Sequence, residues 1–161
     1  VASNPAGRAS VTSLAQARGV LAIGASTGGT QAIEYILSRL PADTPATVIT
    51  QHMPAGFTRA FAQRLDTVCP MNVQEAQDGQ RLDRGLALVA PGGLHLSVER
   101  KGVELRVRLS DGPPLHHQRP AVDVMFASIA RLMGVPTVAA LLTVLSFLKM
   151  YLWFRFMSQA A

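Results

Sequence analysis

The chain has 161 residues, 48% of them hydrophobic and 16% charged, which suits one domain with a sizeable core and excludes a disordered chain. The net charge is +5, but the basic residues are scattered and aromatics make up only 6%. Nucleic acid is therefore not an indicated partner, and an acidic protein partner is an equally good reason for a basic surface. The single cysteine, Cys69, excludes an internal disulfide, fits a reducing compartment, and is expected to pack rather than act as a catalytic thiol.

Residues 1–19 are rich in Ala, Ser and Gly and hold no apolar run of signal-peptide length, so they read as a flexible linker from a longer parent chain. Four apolar residues, Val20 to Ile23, then run into Gly24-Ala25-Ser26-Thr27-Gly28-Gly29. Beyond this turn Ala32, Ile33, Ile36, Leu37 and Leu40 recur at helical spacing, which predicts a buried strand over Val20–Gly24, a tight turn, and a helix over about Thr30–Leu40. Gly24 to Gly28 fits the G-x-S-x-G pattern, in which small neighbours let the chain turn sharply and lift the serine hydroxyl above the sheet edge. The N–H groups and positive dipole end of the following helix suit a developing oxyanion. The same turn also admits a phosphate cradle or a plain turn. However, no Lys follows Gly29 and the spacing is not G-x-G-x-x-G.

Thr47-Val48-Ile49-Thr50 is a second β-branched run, ending at Gln51-His52-Met53-Pro54. Strand, helix and strand in this short span make a βαβ unit with parallel strands. Ser26 and His52 then both lie just past the C-terminal ends of neighbouring strands, the edge where open α/β sheets place their sites. A hydroxyl and an imidazole there can act as nucleophile and general base. A polar strand-end histidine is the plainer reading of His52.

Phe57, Phe61 and Leu65 form a core-facing stripe on a helix after Gly56, with Arg59 and Arg64 on its solvated side. Strands are expected at Asn72–Ala76 and Leu86–Ala90. Leu94–Arg100 and Val103–Leu109 alternate across Lys101-Gly102 as a hairpin with one wet face, and His95 is placed on that polar face. His116-His117 is read as an exposed loop and not a metal site, since adjacent residues point apart and no Cys/His set surrounds them. Pro120 is expected to open a helix with Val122, Met125, Phe126, Ile129, Leu132 and Met133 on one face and Asp123 in its first turn. Thr137–Thr143 reads as a further core strand. Residues 144–161 form an atypical apolar tail without turn signals. The charge-free run from Val135 to Leu148 is shorter than the ~20 residues a membrane span needs, so no integral insertion is expected.

With these residues in place, the chain resembles the catalytic domain of the bacterial chemotaxis receptor methylesterases, the CheB family. The resemblance rests on Ile23-Gly24-Ala25-Ser26-Thr27-Gly28-Gly29-Thr30, on Ile49-Thr50-Gln51-His52-Met53-Pro54 with Gly56-Phe57-Thr58, and on three later stretches. These are Ala90-Pro91-Gly92, Asp111-Gly112-Pro113-Pro114 and Arg119-Pro120-Ala121-Val122-Asp123-Val124-Met125-Phe126, and the resemblance covers Val20 to about Thr143. It implies an α/β fold with a doubly wound, mostly parallel sheet and an added antiparallel hairpin, incomplete at its C-terminal end. It also implies a cytoplasmic enzyme of a signalling phosphorelay with no cofactor. Such an enzyme hydrolyses γ-glutamyl methyl esters on chemoreceptor helices, releases methanol, and deamidates certain receptor glutamines. Ser26 would be the nucleophile, His52 the general base, and Thr27 a residue lining the oxyanion side. The N-terminal linker resembles the join to a receiver domain that this sequence lacks.

The sequence departs from that pattern after Leu142-Thr143, where the family carries its third catalytic residue, an Asp, in a Gly-Met-Gly-x-Asp-Gly loop. Here Val144-Leu145-Ser146-Phe147-Leu148 follows, and no Asp or Glu occurs after Asp123. A frameshift into an unrelated tail accounts for this. It leaves two functional expectations, a methylesterase of reduced activity or an inactive fragment that at most binds receptor helices; a small membrane-associated protein is a third, unrelated class.

Overall fold

The computed structural model describes residues 19–132 and 134–142. Seven strands and three helices follow in order: β1 (Val20–Ala25), α1 (Gly29–Leu37), β2 (Ala46–Gln51), α2 (Phe57–Val68), β3 (Asn72–Glu75), β4 (Leu86–Val89), β5 (His95–Lys101), β6 (Glu104–Ser110), α3 (Val122–Ala130) and β7 (Thr137–Leu141). Five strands form one sheet in the order β3-β4-β2-β1-β7, with every neighbouring pair parallel, and β5 and β6 form a separate antiparallel hairpin. The expected doubly wound sheet with an added hairpin is the architecture found.

The sheet is covered on both faces, which is why its inner strands are buried almost throughout rather than alternating, the polar Thr47, Thr50 and Gln51 of β2 included. Val20, Ala22, Val48, Leu88 and Ala90 point to one face, where the hairpin (Leu96, Val98, Leu105, Val107) and α3 (Met125, Phe126, Ile129) close over them. Ile23, Ala25, Ile49, Ala87 and Val89 point to the other, against Ile33 and Leu37 of α1 and Phe61, Ala62 and Leu65 of α2. Arg64 of α2 also pairs with Glu34 of α1 through two hydrogen bonds of 2.7 and 3.1 Å. Cys69 follows α2 and packs half-buried against this second cluster.

The chain steps from β1 to β2 by α1 on one face, and reaches the opposite side of β1, at β7, from α3 on the other face. The winding therefore reverses between β1 and β7, at the C-terminal end of the strand that carries Ser26.

Several expectations are corrected. Phe57, the first residue of α2, is 65% exposed; the buried face is Thr58, Phe61, Ala62 and Leu65, so it begins one residue later and with a polar side chain. His95 is buried rather than on a wet face. Its Nε2 donates to Pro113 O at 3.0 Å and its Nδ1 accepts the Ala121 N–H at 3.2 Å, which ties the hairpin to the start of α3. Carbonyls only accept and backbone N–H groups only donate, so these two bonds set the imidazole tautomer. Pro120 precedes α3, with Ala121 as N-cap, and the Arg119–Pro120 peptide is cis. The last strand is an edge strand among the described residues, with Thr137, Val138 and Ala139 exposed, and not a core strand. The hairpin turns at Gly102-Val103, one residue later than the alternation suggested. Met133, residues 1–18 of the expected linker over 1–19, Thr143 at the end of the expected last strand, and the tail over 144–161 lie outside the described residues.

Candidate active site

Ser26 and His52 are the residues immediately after β1 and β2. The register pairs Ala25 with Gln51 at the last rung, and the His52 N–H continues the ladder to Ala25 O at 3.1 Å. Adjacent parallel strands lie about 5 Å apart, so the two side chains emerge side by side. Ser26 Oγ and His52 Nδ1 are 3.3 Å apart, a long hydrogen bond of the kind that tightens when substrate enters. Ser26 is 6% exposed and His52 half-buried, so the pair is shielded yet open at the sheet edge. For Nδ1 to take the serine proton it must be bare, with the ring proton on Nε2.

Each glycine of the nucleophile turn answers a different constraint. Gly28 is the N-cap of α1 at φ 76°, a left-handed conformation that glycine adopts freely. Gly24 has the N-terminal end of α3 against it, so a Cβ there would overlap Val122 Cγ1. At Gly29 a Cβ would overlap the side-chain oxygen of Gln51 and Ala25 Cβ. No side chain caps α1, and the first N–H of the helix, that of Gly29, is taken by the Ser26 carbonyl. Thr27, exposed, follows Ser26 in this turn.

The turns that carry Ser26 and His52 are joined from beneath. Gln51 Nε2 donates to Ser26 O at 2.8 Å and to His52 O at 3.3 Å. Gly29 N–H donates to the same serine carbonyl at 2.8 Å. The loop after His52 is seated on the turn after β4, where a Cβ on Gly92 would overlap the Pro54–Ala55 backbone. Thr58 Oγ1 accepts the Gly92 N–H at 3.0 Å and donates to Glu75 Oε1 at 2.6 Å. The expected approach of Ser26 and His52 is found, while Gln51 and Thr58 had been assigned no role.

His116 and His117 sit at positive φ (51° and 64°) in a two-residue turn closed by the Leu115–Gln118 hydrogen bonds of 3.0 and 2.9 Å, exposed as expected. Among the described residues no group of three or more His, Cys, Asp or Glu is placed to hold a metal ion. No helix among them is long and apolar enough to cross a membrane.

The profile of the family described as CheB methylesterase matches residues 21–146. A "Protein-glutamate methylesterase/protein-glutamine glutaminase 2" of Syntrophus aciditrophicus is 48% identical over 140 residues, covering 86% of this chain and 41% of the relative. A "Protein-glutamate methylesterase/protein-glutamine glutaminase" of Pectobacterium atrosepticum is 52% identical over 124 residues, covering 77% of this chain and 35% of the relative. The chain thus spans about two-fifths of the length of such relatives. Among solved structures, the Thermotoga maritima CheB methylesterase catalytic domain superposes with a TM-score of 0.76 at 33% identity, over 80% of this chain and 68% of that one.

Proposed function

The chain belongs to the CheB methylesterase family, and from that membership we propose that it acts as a protein-glutamate methylesterase and glutamine deamidase on chemoreceptor helices. The observation that carries this reading is the Ser26 Oγ–His52 Nδ1 approach of 3.3 Å at the paired ends of β1 and β2. Ser26 Oγ attacks the γ-ester carbonyl of a receptor glutamate while His52 takes the serine proton. The carbonyl oxygen, now negative, is met by N–H groups of the turn opening α1. His52 returns the proton to the leaving methoxide, and methanol departs. Water, deprotonated by His52, then splits the glutamyl-serine ester to glutamate and free Ser26. With glutamine the leaving group is ammonia. No step requires a cofactor or a metal. The proposed setting, from the family resemblance, is the bacterial cytoplasm with a receiver domain on the N-terminal side as the regulatory partner; the relatives are longer than this chain, which leaves room for such a domain.

A second reading is favoured by one observation: after Leu142-Thr143, where the family resemblance expects a loop with the catalytic Asp, this sequence reads Val144-Leu145-Ser146-Phe147-Leu148. Loss of that carboxylate costs about 10⁴ in rate in serine hydrolases, which would leave a domain that binds receptor helices without turning them over. Methanol release from a methylated receptor fragment separates the two. Release that disappears with Ser26→Ala supports the esterase. Saturable binding of the fragment with no methanol from the unmutated chain supports the binding fragment.

A further inference from the structure

We propose that Gln51 is a positioning residue that holds the nucleophile turn and the histidine turn in one arrangement and aims the oxyanion donor. The proposal rests on the reading of Ser26 and His52 as nucleophile and base. Gln51 is the last residue of β2 and is 4% exposed. Its amide nitrogen faces two carbonyl oxygens, Ser26 O at 2.8 Å and His52 O at 3.3 Å. Only the NH₂ end can face two acceptors, so the amide orientation is forced. The consequence is that Oε1 is turned into the protein, against the Cα of Gly29, with no hydrogen-bond partner among the described residues. A buried acceptor left unpaired is unfavourable, and an apolar side chain of the same size would avoid it. A side chain retained for stability would not be arranged in this way; one retained to hold two carbonyls would.

What those carbonyls control is specific. The Ser26 carbonyl and the Thr27 N–H belong to one planar trans peptide and point in opposite directions. Gln51 Nε2 and the Gly29 N–H both draw the Ser26 carbonyl inward. That same pull turns the Thr27 N–H outward, toward the space above Ser26 where an oxyanion would form. The bond to His52 O fixes the other turn from the same nitrogen. One side chain thus sets the spacing of nucleophile and base and the direction of the amide that follows the nucleophile. Gly29 belongs to the device, because any side chain there would displace Oε1.

The test uses the whole chain with Gln51→Met, which keeps the size and removes the amide. Gln51→Glu, which sets a carboxylate oxygen against the two carbonyls, is the second variant should the first not fold. Ser26 is titrated with a small fluorophosphonate, a reagent that reads serine reactivity without a receptor substrate. The expected result is a fall of roughly 10- to 100-fold in the inactivation rate at saturating reagent, with the half-saturating concentration unchanged. An unchanged maximal rate overturns the proposal and leaves the methylesterase reading standing. Labelling at the expected rates with no methanol release from methylated receptor does the reverse. If the unmutated chain reacts too slowly for comparison, the ¹⁵N shifts of the His52 ring decide. Ser26→Ala should move them in the Gln51 chain and leave them in place in the Gln51→Met chain; equal movement in both overturns the proposal.

Discussion

Replacing Gly24 by alanine tests whether the first glycine of the nucleophile turn is demanded by packing. Its backbone is ordinary strand, so alanine meets no φ barrier; what it meets is α3. A Cβ at this position overlaps Val122 Cγ1 and stands 3.2 Å from Leu141 Cδ1. Val122 is the first residue of α3 and buried, so relief requires moving the helix end. Overpacking of this kind costs about 1–3 kcal/mol, and alanine returns about 0.4–1 kcal/mol through the unfolded chain, for a net loss of about 1–2 kcal/mol. Val122→Ala alone removes two buried methyl groups, about 1.6 kcal/mol at roughly 0.8 each. In the double variant the clash is gone, and the total loss should be about 1–2 kcal/mol rather than the sum of the two. Urea unfolding followed by circular dichroism measures all three. A double variant that loses the full sum, within about 0.5 kcal/mol, would refute the argument that α3 is what excludes a side chain at Gly24.

Thr58→Val keeps the shape of a fully buried side chain but strands the Gly92 N–H. It should cost about 1–3 kcal/mol and speed hydrogen exchange at Gly92, with little change at Leu88. The Arg64 guanidinium beside Glu34 holds that carboxyl below its ordinary value, chiefly through their hydrogen bond. The folded form is the more acidic, so the pair's contribution is present above the ordinary glutamate range and is lost as pH falls through the depressed folded value. Glu34→Gln should remove that part of the acid limb, read from unfolding midpoints between neutral and acid pH. Burial, with Glu34 and Asp66 nearby, pushes the Cys69 thiol up. Iodoacetamide should therefore alkylate it more slowly than a free thiol at mildly alkaline pH, and the difference should vanish in denaturant.

The sheet, its parallel pairing and the Ser26–His52 juxtaposition were legible because each rests on short-range pattern. Two β-branched runs flanking one amphipathic helix leave a parallel neighbour pair as the simple arrangement, and the residue after each run must then share an edge. His95 was misplaced for an equally physical reason. Alternation in the hairpin separates two faces, but the loop from Pro113 to Ala121 folds over the polar one and supplies two backbone partners that no local pattern reveals. Thr137–Leu141 is apolar enough for a core strand, yet among the described residues it is an edge. Composition reports what a strand can bury, and not what arrives to cover it. Gln51 was hidden because a lone amide at a strand end looks like a boundary residue; its partners are backbone carbonyls set by the register.

Val20 pairs on one side with Ala46 and on the other with Thr137. The first pairing closes a short stretch of chain and the second a stretch several times longer, a difference of roughly 1.3 kcal/mol in loop-closure entropy. The serine and the histidine both belong to the short closure. They need only the first βαβ segment to meet, whereas the pairing of β1 with β7 forms only after the hairpin and α3 have been threaded across. In folding terms the molecule separates a locally encoded serine–histidine pair from a remotely encoded enclosure. Lesions late in the sequence therefore fall on the walls and orientation of the site, and leave the meeting of hydroxyl and imidazole to the first third of the chain.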